Sequence, residues 1–201
     1  MRLTISQEGL TPVYISIENG SSSHTKRDDD NVKIKKLVKD DLKRRVISKN
    51  IKNIKSVEEF VRLKLDFKQY MKIVKDFLLG ETDLLLPGES NIKVSKAIKN
   101  ENMLRNLSRS WIKDYNTFFY INNRNNIEGF IALKGHDKYV FVSKLYVDEK
   151  YRGKGISKEL MYSAENFALD RKINKLKLCC LWNNEKAYSV YKHLGFKDDK
   201  S

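Results

Sequence analysis

The chain has 201 residues, of which 40% are hydrophobic and 33% are charged, a composition that supports one soluble, packed domain. Disordered, collagen-like and low-complexity classes are excluded, because the sequence lacks the residue biases that define them. No apolar run approaches the roughly 18 residues of a membrane span, and the first residues lack a signal-peptide pattern. We therefore expect a protein that does not enter a membrane and stays in the cytoplasm.

The cysteines and histidines are few. Cys179 and Cys180 are adjacent and cannot form an ordinary disulfide framework, which fits a reducing cytosol. The three histidines are scattered and do not combine with them at metal-ligand spacing. We expect no metal site.

The net charge is +14, and much of it is concentrated in one stretch. Residues 33–77 contain fifteen Lys/Arg and six Asp/Glu, a net charge of +9. A solvated lysine-rich surface, a nucleic-acid site and a site for an acidic partner, each using the basic residues of 33–75, are all compatible with this pattern.

The N-terminal part predicts short strands and a linker. Weak alternation of apolar residues around Gly9 and Pro12 predicts two strands within residues 1–18, which form an N-terminal extension. Residues 19–31 are polar and predict a linker, and residues 32–201 form the main domain. Val32 and Ile34 indicate a strand, followed by a basic, partly helical stretch near residues 41–47.

Two helices are predicted next. Ser56 and Glu59 form a capping-box pattern, and apolar residues at three- and four-residue spacing continue to Gly80, which predicts one helix of about six turns. A second helix covers parts of residues 90–112, with a buried stripe formed by Val94, Ile98, Leu104, Leu107 and Trp111.

The second half begins with the periodicity of strands. Residues 117–121, 127–133 and 139–147, separated by turns rich in Asn and Gly, predict a three-stranded antiparallel meander. Residues 175–182 begin with the alternation of a further strand.

A glycine-bearing turn follows the meander and leads into a helical pattern. Its residues are Arg152, Gly153, Lys154, Gly155, Ile156 and Ser157. Glycines let the backbone approach a ligand closely, and the amides of the first helical turn attract anions such as pyrophosphate. By themselves, two glycines in such a turn are equally compatible with a purely steric role.

Two motifs together resemble the GNAT superfamily, the acyl-CoA-dependent N-acyltransferases. Residues 152–157 resemble its Arg/Gln-x-x-Gly-x-Gly/Ala loop. Residues 184–196 resemble its Asn-x-x-Ala-x-x-x-Tyr-x-x-x-Gly-Phe segment, in which Asn184 is also a good helix N-cap. The resemblance covers residues 117–196 and implies an α+β GNAT fold, in which a mostly antiparallel twisted sheet is flanked by helices.

The resemblance also implies roles for individual residues. Tyr191 matches the tyrosine that commonly donates a proton to the departing CoA thiolate, and Asn184 matches a residue that binds the cofactor arm. Tyr188 lies on the same predicted helix face as Tyr191 and is included in the cofactor site. The acyl-CoA arm would lie on the backbone of Leu145, Tyr146 and Val147, and its pyrophosphate on the amides of Arg152, Gly153, Lys154, Gly155, Ile156 and Ser157.

Three departures from the family pattern stand out. Cys179 occupies a position where several members carry a glutamate base, which leaves a water relay, Glu128 and Glu185 as alternatives. Ser157 replaces the usual Gly or Ala. The sequence after Phe196 leaves almost no room for the usual final strand, so we expect the N-terminal strands of residues 3–17, or a partner chain as in a homodimer, to cover the exposed sheet edge.

The implied function is direct transfer of an acetyl group from acetyl-CoA to a primary amine. The acceptor, whether protein, peptide, small molecule or RNA-linked amine, is not indicated. The alternatives are a catalytically inactive acyl-CoA-binding module with this fold and a nucleic-acid-binding module.

Overall fold

The computed structural model describes residues 2–6, 14–18, 32–37, 44–82, 99–180 and 184–199. Its main element is a seven-stranded sheet with the order β4-β5-β6-β7-β8-β3-β9. The strands are β3 (Val32–Lys36), β4 (Ile51–Ile54), β5 (Asn116–Ile121), β6 (Ile127–Gly135), β7 (Val140–Val147), β8 (Lys175–Cys179) and β9 (Lys197–Asp198). All neighbours pair antiparallel except β7 and β8, which are parallel.

Helices cover both faces of this sheet. They are α1 (Val57–Arg62), α2 (Phe67–Thr82), α3 (Glu101–Asp114), α4 (Ile156–Asp170) and α5 (Glu185–His193). One core cluster joins α4 and α5 to residues such as Leu133 and Val142, and the other joins α1, α2 and α3 to residues such as Phe119 and Phe130. The α+β fold class is therefore confirmed, as is the meander formed by β5, β6 and β7.

The N-terminal strands β1 (Arg2–Ser6) and β2 (Tyr14–Glu18) pair antiparallel in a separate two-stranded sheet. The predicted linker, residues 19–31, lies outside the described residues, and the domain boundaries stay a prediction. The expectation that residues 3–17 cover the edge of β8 is wrong. That position is taken by β3, whose Ile34 is paired with Lys177, and β3 is in turn flanked by β9.

The single helix predicted for residues 56–80 is two helices. The chain turns between α1 and α2 at Lys64, which has a φ of 56°. The apolar spacing hides this break, because Phe60 on α1 and Tyr70 on α2 pack in the same core with ring centroids 5.5 Å apart. Gly80 does not end α2, which continues to Thr82. Ser56 makes no side-chain capping hydrogen bond.

Two other predictions also need revision. Residues 44–47 are irregular, so the helical expectation for 41–47 is wrong where the structure describes it, and β4 was not predicted. The second helix, α3, ends later than expected, at Asp114, and buries Leu104 and Trp111 as predicted. The remainder of that prediction, including Val94 and Ile98, lies outside the described residues.

Helix α4 is attached to the N-terminal part of the domain by buried polar contacts, which we call the Glu165 cluster: Lys35, Arg45, Glu165 and Asn166. The Glu165 carboxylate is fully buried and bonds the Lys35 ammonium and the Arg45 guanidinium, the latter at 3.1 Å. The Asn166 side chain accepts from the Arg45 amide at 2.7 Å and donates to its carbonyl at 2.9 Å. These contacts hold β3 and residues 44–48 against α4.

Candidate active site

Strand β7 forms the centre of the candidate site because its two edges differ. One edge pairs with β6 from Val140 to Val147. On the other edge, among the described residues, β7 pairs with β8 only at Val140 and Phe141. Parallel strands that pair only at their N-terminal ends diverge beyond that point, so the later part of β7 offers backbone groups to an added extended chain.

A β-bulge lies where β7 and β8 separate. On β6, Ala132 and Leu133 are consecutive, but their partners on β7 are Lys144 and Val142, which leaves Ser143 as the extra residue. Residues up to Lys144 are buried, whereas Leu145, Tyr146 and Val147 are half-buried. The accessible part of the strand is therefore the part predicted to bind the cofactor arm.

The glycine loop, residues 152–157, connects β7 to α4. Gly153 and Gly155 have φ values of 80° and 79°, which favour glycine, and a Cβ atom added to either would meet no heavy atom within 4 Å. The first helical hydrogen bond of α4 runs from the Glu159 amide to the Gly155 carbonyl at 3.1 Å. The amides of residues 156–158 have no acceptor within the helix and lie at the positive end of its dipole. This arrangement suits an anion.

Arg152 joins the loop to the end of β7. Its Nε donates to the Val147 carbonyl at 2.9 Å, and its guanidinium lies 5.5 Å from the centroid of the Tyr146 ring. Burial raises the pKa of Tyr146, and the nearby Asp76 and Asp148 carboxylates raise it further against the opposing effect of Arg152. Arg152 therefore positions the loop in addition to contributing charge.

Helix α5 carries the second motif. The Asn184 side chain caps the helix by accepting from the Ala187 amide at 3.1 Å, as predicted. Tyr191 is buried beside Phe196, with ring centroids 6.1 Å apart, in the core cluster that Leu145 and Val147 border. Tyr188 is 40% exposed and its ring faces the Lys33 ammonium at 4.7 Å. The structure thus separates the surroundings of Tyr188 from those of Tyr191.

The model of the Acetyltransferase (GNAT) family matches residues 89–196, more than half of the chain. The chain belongs to the GNAT acetyltransferase family. Both motifs that carried the resemblance lie within the matched residues.

Individual known proteins match part of the sequence or share the fold. Thialysine N-epsilon-acetyltransferases from Bos taurus and Sus scrofa are each 34% identical over 59 residues, which is 29% of this chain and 35% of theirs. A functionally unknown conserved protein from Staphylococcus epidermidis shares the fold with a TM-score of 0.55 and 12% identity, over 84% of this chain and 57% of that one. A structure from Pyrococcus furiosus has a TM-score of 0.50 and 19% identity, over 75% and 94%.

The candidate bases of this GNAT protein lie in different surroundings. Glu128 is largely buried and its carboxylate accepts from the Asn122 side chain at 2.9 Å. Glu185 is exposed in the first turn of α5, and Cys179 is half-buried at the end of β8. None of these contacts singles out one base.

The structure adds one residue that the sequence did not indicate, Lys144 on β7. It is fully buried, and its ammonium nitrogen lies 3.7 Å from the centroid of the Tyr115 ring and 4.7 Å from that of Trp111. Burial lowers the pKa of Lys144 well below its usual value; Asp114 opposes this shift and Lys134 adds to it. Only the three-dimensional contacts distinguish this lysine from the many exposed ones.

The part of the chain that the structure describes contains no helix long and apolar enough to cross a membrane. Among the same residues, no group of three or more His, Cys, Asp or Glu side chains could hold a metal ion.

Proposed function

We propose that this protein transfers an acetyl group from acetyl-CoA directly to a primary amine. The observation that carries the proposal is the continuous path formed by the half-buried end of β7, the glycine loop and the first turn of α4. It offers, in order, a strand edge for an extended arm and free amides for a pyrophosphate.

In this proposal the cofactor arm lies along Leu145, Tyr146 and Val147 as an added strand. The pyrophosphate binds the amides of residues 153–157, where the open space above Gly153 and Gly155 leaves room for it. The Arg152 amide, predicted to take part, already donates to the Glu149 carbonyl at 3.4 Å. Lys154 is an exposed residue of this loop and adds positive charge. Asn184 binds the arm with the part of its side chain that does not cap α5.

The chain's main contribution to rate is positioning. Holding an amine against a thioester in reacting geometry contributes on the order of 7 to 11 kcal/mol to lowering the barrier. Tyr191 donates a proton to the departing thiolate, because a phenol and a thiol have similar enough pKa values to share it in the transition state. No covalent enzyme intermediate is required.

The acceptor is proposed only as a primary amine. The match to the thialysine acetyltransferases covers about a third of their length, so it supports the reaction type, and thialysine is a reasonable first acceptor to test. A cytoplasmic location and homodimer formation stay predictions from the sequence.

A catalytically inactive acyl-CoA-binding module is the alternative that one observation favours. Cys179 stands where several family members carry a glutamate base, so this chain lacks that group on β8. A nucleic-acid-binding role has weaker support, from exposed lysines such as Lys68 and Lys72 on α2.

The test is acetyl transfer by the purified full chain with acetyl-CoA and a panel of amines that includes thialysine, lysine, lysine-containing peptides and tRNA. We expect acceptor-dependent release of the CoA thiol, and a kcat about 100-fold lower in Tyr191→Phe with unchanged acetyl-CoA affinity. Acetyl-CoA binding without transfer to any amine would instead support the inactive module. RNA binding that weakens steeply with salt, without acetyl-CoA binding, would support the nucleic-acid role.

A further inference from the structure

The carbonyl group of Val147, at the end of β7, points to the open edge of the strand. The Asp148 amide donates to the Glu128 carbonyl on β6 at 2.8 Å. Val147 C=O and Asp148 N–H belong to the same planar trans peptide group and point in opposite directions, so this carbonyl points away from β6. It is therefore one of the acceptors that the edge offers to a cofactor arm added as a strand.

This carbonyl already accepts a hydrogen bond from the chain itself. The Arg152 Nε donates to the Val147 oxygen at 2.9 Å, and the guanidinium carbon lies 5.5 Å from the centroid of the Tyr146 ring. Neighbouring strands are separated by about 4.8 Å, so a guanidinium bonded at 2.9 Å lies in the space that an added chain needs. Arg152 and the cofactor arm therefore compete for the same carbonyl.

Arg152 also lies next to the proposed pyrophosphate site. It is an exposed residue at the start of the glycine loop, whose amides at residues 153–157 are proposed to bind the pyrophosphate. A guanidinium can bond phosphate oxygens through two charge-assisted hydrogen bonds, which are stronger than its single bond to a neutral carbonyl. A pyrophosphate on this loop is therefore a better acceptor for Arg152 than the Val147 carbonyl is.

We propose that Arg152 makes the site selective for thioesters that carry a pyrophosphate, an inference that rests on the proposed function. In the free chain Arg152 covers the Val147 carbonyl. When the pyrophosphate of the donor binds the glycine loop, the guanidinium moves to the phosphate oxygens, and the carbonyl accepts a hydrogen bond from the arm. A pantetheine thioester without a pyrophosphate offers Arg152 no such acceptor, so it binds only at the cost of the existing hydrogen bond.

The test compares Arg152→Ala with Lys150→Ala, which removes an exposed positive charge two residues away. Calorimetry measures binding of acetyl-CoA and of S-acetylpantetheine, which has the same arm without the pyrophosphate. We expect R152A to bind S-acetylpantetheine about threefold to tenfold more tightly than the parent chain, because one competing hydrogen bond is removed. The same variant should bind acetyl-CoA about fivefold or more weakly, because the charged contact with the pyrophosphate is lost. At physiological salt K150A should stay within about twofold of the parent chain for both ligands.

Opposite changes for the two ligands distinguish this proposal from simpler roles of Arg152. Loss of a phosphate-binding charge alone weakens acetyl-CoA binding and leaves S-acetylpantetheine binding unchanged, and a distorted loop weakens both. If R152A binds S-acetylpantetheine no more tightly than the parent chain, including no binding to either, the proposal is overturned. Parent-like acetyl-CoA affinity in R152A would overturn it too. Saturable acetyl-CoA binding to the parent chain tests the proposed function separately, so the two failures can be distinguished.

A second measurement follows the Arg152 side chain directly. In chains labelled with ¹⁵N-arginine, with R152A used to assign the signal, the Arg152 Nε resonance should shift when acetyl-CoA or inorganic pyrophosphate is added. Arg124, which is exposed in the turn between β5 and β6, should not respond. An Arg152 resonance that saturating acetyl-CoA leaves unchanged would show that the guanidinium stays on the strand, which contradicts the proposal.

Discussion

The first turn of helix α4 and the part that contains Glu165 differ in whether their polar groups are paired. Its first turn follows the glycine loop, and the backbone amides there have no hydrogen-bond acceptor within the helix. Two turns further along, the Glu165 cluster surrounds a buried carboxylate with an ammonium, a guanidinium and a paired amide. The first turn therefore leaves room for a ligand, whereas the Glu165 cluster holds the N-terminal part of the domain in place.

This difference predicts which property each region controls. Variants in the Glu165 cluster should change the free energy of unfolding and leave acetyl-CoA affinity unchanged in the folded protein. Variants in the glycine loop should lower acetyl-CoA affinity more than they lower stability. The predictions below test this separation, beginning with the largest effect.

Glu165→Leu should lower the free energy of unfolding by about 3 to 5 kcal/mol, because it leaves Lys35 and Arg45 without their buried partner. The matched control is Asp170→Ala on the same helix, which breaks an exposed ion pair with Arg44 and should cost at most about 1 kcal/mol. Urea unfolding measures both. Equal losses in the two variants would show that the Glu165 cluster is not what holds α4.

Lys144 on β7 is the contrasting buried titratable group. Its lowered folded-state pKa means that, between this value and about 10.4, the unfolded chain binds a proton that the folded chain does not. Stability should therefore rise with pH in this window, by up to about 1.4 kcal/mol per pH unit, and fall as the pH drops through it. Lys144→Met should remove this contribution, whereas Lys138→Met should retain it. Identical pH dependence of unfolding in K144M and K138M would contradict the prediction.

Gly155→Val should weaken acetyl-CoA binding about tenfold or more, because a β-branched residue strains the backbone at a φ of 79° and displaces the amides that follow. The strain should also cost about 1 to 2 kcal/mol of stability. Gly80→Ala is the control. Gly80 lies within α2 with no heavy atom near its added Cβ, so alanine should stabilise the helix by up to about 1 kcal/mol without changing affinity. Parent-like acetyl-CoA affinity in G155V would remove the loop from the site.

Asn184→Ala and Asn100→Ala compare two helix caps of the same chemistry. Asn184 caps α5 and Asn100 caps α3, each accepting a backbone amide at 3.1 Å. Both variants should lose about 1 kcal/mol of stability. Only N184A should also weaken acetyl-CoA binding, since only Asn184 lies in the family motif. Equal affinities in the two variants would reduce Asn184 to a capping residue.

The sequence predicted the parts of the molecule that depend on local pattern. Alternation identified β5, β6, β7 and β8, and the two motifs identified the family and the order of loop, helix, strand and helix. These features are encoded within a few consecutive residues: the left-handed turns need Gly153 and Gly155, and the cap of α5 needs Asn184.

Features that depend on distant residues were not predictable in the same way. Val32 and Ile34 indicated a strand, but nothing local shows that β3 pairs with β8 and completes the sheet. The periodicity across Lys64 continued because α1 and α2 bury the same face, so it concealed the turn between them. The bulge at Ser143 leaves no mark in the apolar pattern, and Lys144 therefore looked like any other lysine.

Calorimetric titration of the full chain with acetyl-CoA tests the central claim most directly. We expect saturable binding of one acetyl-CoA per chain, with a dissociation constant on the order of micromolar, as is common for enzyme substrates. We also expect binding to be weakened at least about tenfold in G155V and unchanged in G80A. No saturable heat at acetyl-CoA concentrations up to about 1 mM would contradict it.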